Sequence, residues 1–146
     1  MNFKLIIDQD RPEEVQVYAH GESRLTRAIE RLCEEDGVRL IGYREKEMVP
    51  LNLCDICCFI VEDNRIWALT DTEKLSLKCR LYTLEEELPD SFVKLNQSCI
   101  ANLGKIRRFD TSFGGTLTVR FQNGYTDYVS RRNLKTVKER LQQFYE

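Results

Sequence analysis

The sequence has a single histidine, His20, and no glycine-rich run of the kind that cradles phosphates. Acid–base, nucleophilic or metal catalysis needs ligands and proton carriers that converge, and here the carboxylates are scattered without a recurring pair. The chain is expected to be no enzyme and to carry no cofactor or metal. Long apolar runs are missing as well. The longest uncharged one, Ile56-Cys57-Cys58-Phe59-Ile60-Val61, is far below the ~20 residues that span a bilayer. Met1-Asn2-Phe3-Lys4 opens a strand-like run rather than a signal peptide, which points to a cytoplasmic protein.

Six cysteines are present, with Cys54, Cys57 and Cys58 clustered as C-x-x-C-C, but a second paired motif is absent. A zinc site wants four ligands from two such motifs, and His20 lies far off in sequence. Neighbours on a strand point to opposite faces, so Cys57 and Cys58 do not easily share an ion. They read as reduced, small apolar residues.

What the chain does have is an ordinary globular composition, 42% hydrophobic and 10% aromatic, in 146 residues that fit one domain with an appendage. Its formal charge of −2 hides an asymmetry. Residues 1–90 hold 12 Lys+Arg against 20 Asp+Glu, whereas residues 91–146 hold 10 against 4. A basic segment of this kind suits a phosphate backbone, and the acidic remainder keeps nucleic acid off the other face.

The pattern of elements begins with two strand-like stretches, Phe3–Ile7 and Glu14–Ala19, around a turn at Asp8–Pro12. Leu25, Ile29, Leu32 and Cys33 then recur at helical spacing, predicting an amphipathic helix over 22–36 that closes near Gly37. From Val38 short strands follow at 38–44, 47–49, 56–61, 65–70 and 75–80, with a tight connection at Asp63-Asn64. Thr83 and Glu86 form a capping box for a short helix stopped by Pro89. Further strands are read at 92–95 and 100–106, then Thr116–Phe121 after a Gly114-Gly115 turn, with Leu117, Val119 and Phe121 on one face. Asn123-Gly124 signals a type I′ hairpin into Tyr125–Val129. Ser130 caps a last helix with Leu134, Val137, Leu141 and Phe144 on its apolar side. Arg131 and Arg132 would then occupy its first turn, where the dipole disfavours cations unless an anion sits nearby.

Two segments carry a family likeness. Ser91-Phe92-Val93-Lys94-Leu95-Asn96-Gln97-Ser98-Cys99-Ile100-Ala101-Asn102-Leu103-Gly104-Lys105-Ile106 resembles the signature F-x-R/K-x-H/N-x-S-x-x-V/A-N-x-x-x-I of the LytTR output domains of bacterial response regulators. Asn123-Gly124 through Tyr128-Val129-Ser130-Arg131-Arg132-Asn133-Leu134-Lys135 resembles that family's V/I-S-R-R-x-x-K ending. With Val49-Pro50-Leu51, Asp55-Ile56 and the helix at Leu81–Leu88 the likeness covers about residues 40–144. Cys57-Cys58 depart from it, standing where aromatics are common.

The resemblance implies a mainly β fold with short helices, built of small antiparallel sheets, preceded by a ββα unit and ended by a C-terminal helix. Residues 1–39 would be that unit, and 40–146 the DNA-binding domain. It implies a stand-alone regulator without a receiver domain, which lays loops into successive major grooves of double-stranded DNA. Asn96, Gln97 and Arg132 are then the expected base contacts, with Asn64 and Arg65 in a third loop. Lys94, Ser98, Arg131, Asn133 and Lys135 suit phosphates. A homodimer on paired half-sites is expected, and a membrane-protein inhibitor or sensor is a further partner for residues 1–39. The alternative is an interaction module of the same fold that has lost DNA binding.

Overall fold

In the computed structural model, residues 2–35, 40–111 and 116–145 are described. The end of the first helix at Gly37, the start of the first strand at Val38 and the Gly114-Gly115 turn lie outside them.

One helix, α1 (Arg24–Glu35), precedes the β-rich body. Strands β1 (Leu40–Arg44), β2 (Glu47–Leu51), β3 (Ile56–Glu62), β4 (Arg65–Thr70), β5 (Lys74–Leu77), β6 (Phe92–Asn96) and β7 (Cys99–Asn102) form one antiparallel sheet in the order β2-β1-β5-β4-β3-β7-β6. Strands β8 (Ile106–Thr111), β9 (Leu117–Phe121) and β10 (Thr126–Val129) form a second sheet, with β9 central. Helix α2 (Leu81–Glu87) lies between β5 and β6, and α3 (Leu134–Tyr145) ends the described chain.

The larger sheet is buried on both faces at its centre, which is why β3 reads as a continuous apolar run rather than an alternating one. One face packs Val93, Leu95, Cys99 and Ala101 against Leu117, Val119 and Phe121 of the second sheet and Val137 of α3. The opposite face packs Phe59, Ile66, Phe92 and Ile100 under Leu84 and Leu88 of α2. The apolar side of α3 is as the spacing requires: Val137 is fully buried, and Leu134, Leu141 and Phe144 pack partly buried on the same core.

Several local expectations are corrected. No strand forms at Phe3–Ile7 or Glu14–Ala19; of the ββα unit only the helix is present. A strand needs a neighbour for its backbone groups, and neither stretch meets one among the described residues. Thr83 is not a cap. Its N–H donates to the Arg80 carbonyl at 3.1 Å, so α2 has begun two residues earlier, with Leu81 half-buried and Leu84 buried on its inner side. Packing of that face, not side-chain capping, sets the start.

Of the two hairpins, the tight connection at Asp63-Asn64 is as expected and the second one changes. Asp63 and Asn64 both have positive φ, 53° and 60°, and join Glu62 to Arg65 in the twist-matched geometry of a type I′ turn. Between β9 and β10 only Gly124 has positive φ, at 90°, and its N–H reaches back to the Phe121 carbonyl at 3.0 Å. The Asn123-Gly124 connection is therefore a wider loop, in which the Asn123 side chain accepts from Tyr125 N–H at 3.0 Å.

Cys57 and Cys58 do not face opposite ways. The β3–β4 register slips between Ile56 and Cys58, so Cys57 is the extra residue of a β-bulge and both thiols join one core cluster. Burial first, and then Asp71, whose carboxylate lies 3.4 Å from Sγ, push the Cys57 thiol up to about 11.

Candidate nucleic-acid interface

Three turns meet at one end of the larger sheet. Residues 97–98 link β6 to β7, and the Ser98 carbonyl accepts from Val61 N–H at 2.9 Å, which sets this turn beside the Asp63-Asn64 turn at the end of β3. A second β-bulge falls on Leu95, between the Lys94 and Asn96 pairings. It releases the Leu95 carbonyl from the ladder, and that oxygen accepts from Ser130 N–H at 2.9 Å and from Asn133 Nδ2 at 3.3 Å. The segment after β10 is thereby fastened to the 97–98 turn.

Ser130 is not the helix cap. Its carbonyl accepts from Asn133 N–H at 3.0 Å to close a turn over Arg131 and Arg132, and its hydroxyl accepts from Asn133 Nδ2 at 2.9 Å. The Asn133 carbonyl takes the first helical bond, from Val137 N–H at 2.9 Å, so Asn133 holds the cap position. The two arginines precede the helix rather than filling its first turn, because the chain must first reverse against Leu95.

Of the expected contacts, Gln97, Ser98, Asn64, Arg65, Arg131, Arg132 and Lys135 are exposed. Among the described residues none of Arg65, Arg131, Arg132 and Lys135 has an ion pair, whereas Lys105 is paired with Asp71 and Arg108 with Asp110. Lys94 stands apart. It is half-buried beside α2, with Nζ 3.6 Å from the Glu85 carboxylate.

Asn96 is buried, and its amide is fully engaged. Nδ2 donates to Asp127 Oδ1 at 2.9 Å and to the Tyr128 carbonyl at 2.8 Å, while Oδ1 accepts from Ser98 N–H at 2.8 Å. Asp127 was missed from the sequence. It accepts in addition from Tyr128 N–H and from the Tyr125 hydroxyl, each at 2.8 Å. Burial, followed by this bond to Asp127, drives the Tyr125 phenol far above its usual range. The signal was there: period two puts Asp127 on the same face as buried Val129, and a carboxylate turned inward needs donors. Beneath it Cys99 is held protonated by its hydrogen-bonded neighbour Cys58 and by burial.

The domain is thus β-rich, with three polar turns gathered at one end and the unpaired Arg65, Arg131 and Arg132 in or beside them. Helices α2 and α3 are separated by five strands, so they do not form a helix-turn-helix. Residues 46–142 match the LytTr DNA-binding domain family, and the chain belongs to that family. Curated relatives agree. An uncharacterized HTH-type transcriptional regulator of Staphylococcus aureus strain NCTC 8325 is 36% identical over 102 residues, covering 70% of this chain and 69% of its own. The corresponding regulators of strains COL and bovine RF122 are 36% and 35% identical over the same length. Among solved structures, the LytTr DNA-binding domain of a Bacillus cereus protein described as a methyl-accepting/DNA response regulator superposes with a TM-score of 0.67. It is 19% identical and covers 70% of this chain and 95% of the other. The protein is thus a DNA-binding transcription regulator of a non-enzymatic family, and among the described residues no helix is long and apolar enough to cross a membrane.

Proposed function

We propose that the chain binds double-stranded DNA sequence-specifically as a homodimer on paired half-sites, laying its three turns into major grooves. The observation that carries this reading is the convergence of the Asp63–Arg65, Gln97–Ser98 and Arg131–Arg132 turns on one end, with unpaired cations beside them. Counterion release favours such an end on a duplex, and polar tips that reach base edges supply discrimination.

In this reading Arg132 forks onto a guanine edge, Gln97 reads an adenine edge, and Asn64 and Arg65 form the third contact. Arg131, Ser98 and Lys135 take phosphates. Asn96 and Asn133 act through the turns they hold rather than by touching DNA, because their amides already serve backbone groups and Asp127. Lys94 contributes less than Lys135, since Glu85 offsets its charge. Selection of genomic fragments by the purified protein tests binding and yields the site at once. Folded protein that enriches no motif at low salt sinks the proposal.

A further inference from the structure

Nine of the fourteen large apolar side chains that are exposed among the described residues fall within residues 3–32. Helix α1 shows why they stay uncovered. It docks on the end of α3 through its arginines: Arg24 Nη2 donates to the Tyr145 carbonyl at 2.9 Å and Arg27 Nη1 to the Gln143 carbonyl at 2.6 Å, while the Arg31 guanidinium lies 3.9 Å from the Phe144 ring centroid. Cations on the last carbonyls of a helix are well placed. The consequence is an inverted helix, with its arginines against the domain and Leu25 and Leu32, two turns apart, in solvent.

The chain before it is extended and two-faced. Gln16 Nε2 donates to Glu14 Oε1 at 3.0 Å and the Tyr18 hydroxyl to Gln16 Oε1 at 3.4 Å, so Glu14, Gln16 and Tyr18 run along one side. Val15 and Val17 take the other, as period two requires. This is a strand in all but its partner.

We propose that residues 3–32 form a homodimer interface, in which Glu13–Ala19 of two copies pair as antiparallel strands about a twofold axis at Gln16, with the α1 leucines packed beside them. The register is self-complementary. It sets Val15 opposite Val17, Glu14 opposite Tyr18 and Glu13 opposite Ala19, so apolar meets apolar and no like charges face each other. The size fits too. At 40–94% exposure the nine residues expose on the order of 1,000 Å², enough to supply the apolar share of a standard interface of about 800 Å² per partner. Charge turns away two other occupants: residues 2–23 hold two basic and five acidic side chains, which repel both DNA and an anionic lipid surface. The inference rests on the DNA-binding reading only for its purpose, since two joined copies bring two basic ends to paired half-sites.

Sedimentation equilibrium of the full chain tests it. A dimer is expected, and the double substitution Val17→Asp with Leu32→Asp should raise its dissociation constant at least about tenfold. Both side chains are exposed, so the thermal melt of the monomer should not move. In a Cys33→Ser, Cys54→Ser background, mild oxidation should cross-link Gln16→Cys into a covalent dimer but leave Gln9→Cys monomeric. A chain that stays monomeric at every concentration, or a dimer indifferent to the double substitution, overturns the interface. A monomer that still enriches a DNA motif overturns this inference and leaves the DNA-binding reading standing; a dimer that enriches none does the reverse.

Discussion

Asn96 and Asp127 are joined by a 2.9 Å hydrogen bond between β6 and β10, and this contact ties the Gln97–Ser98 turn to the strand that delivers Arg131 and Arg132. Removing the amide takes the acceptor from the Ser98 N–H and a donor from the Tyr128 carbonyl and from Asp127 Oδ1, which keeps only the Tyr128 N–H. Asn96→Ala should therefore cost about 1–2 kcal/mol in urea denaturation, since the buried amide loses three hydrogen bonds while water still reaches the exposed Ser98 and Tyr128. Asp127→Asn keeps one acceptor oxygen and should cost about half as much. Both variants, compared at temperatures where they are fully folded, should lose more affinity for selected DNA than for random DNA. Equal losses on the two would argue that Asn96 serves stability alone.

Arg132 and Lys135 should fail differently. A bidentate contact to a guanine edge is worth ~1–3 kcal/mol of discrimination, so Arg132→Ala should relax preference at one base pair of the selected site. Lys135→Ala should weaken every sequence alike and flatten the salt dependence by about one phosphate contact. Binding isotherms over a salt series, on selected and random duplexes, separate the two. If both substitutions shift both duplexes equally, the division between base and phosphate contacts is wrong.

The elements that pack regularly were legible in the sequence. Leu117, Val119 and Phe121 alternate because β9 buries one face, and Leu134, Val137, Leu141 and Phe144 repeat because α3 does the same. The misreadings fall where a local signal depends on something distant. Phe3–Ile7 and Glu14–Ala19 have strand composition but no neighbouring strand among the described residues. Thr83 and Glu86 have capping spacing, yet the burial of Leu84 and Leu88 starts the helix earlier. The bulges at Cys57 and Leu95 leave no local signature, because a bulge is set by the register of two strands far apart in sequence. For the same reason the candidate site was only half visible. The exposed tips Gln97, Arg131 and Arg132 could be named from the chain, whereas Asn133 braces the Leu95 carbonyl that the bulge frees, and Asn96 and Asp127 brace each other across strands far apart in sequence.

Positive φ at Asn64 makes a clean test of the third turn. Glycine adopts this conformation without strain, so Asn64→Gly should leave stability within about 0.5 kcal/mol, while the β-branched Asn64→Val should cost about 1–2 kcal/mol. The glycine variant deletes the side chain and keeps the turn. Its affinity for selected DNA should fall with no change in urea midpoint, and unchanged affinity would remove Asn64 from the contacts.

The buried thiol of Cys57 should set part of the alkaline limit of the fold. Its folded value is about 11 against an ordinary value of 9.0, raised chiefly by burial and then by Asp71. A raised folded value means that the native state holds the proton over a range where the unfolded chain has released it, so this contribution is complete below pH 9 and is lost as pH climbs toward 11. Urea stability measured across that window should fall, with Cys99 and Tyr125 adding to the slope in the same direction. Cys57→Ala removes one titrating group and should flatten the slope by up to one proton, whatever it costs at neutral pH. An identical slope in the variant would mean that the Cys57 thiol ionises as readily in the folded chain as in the unfolded one.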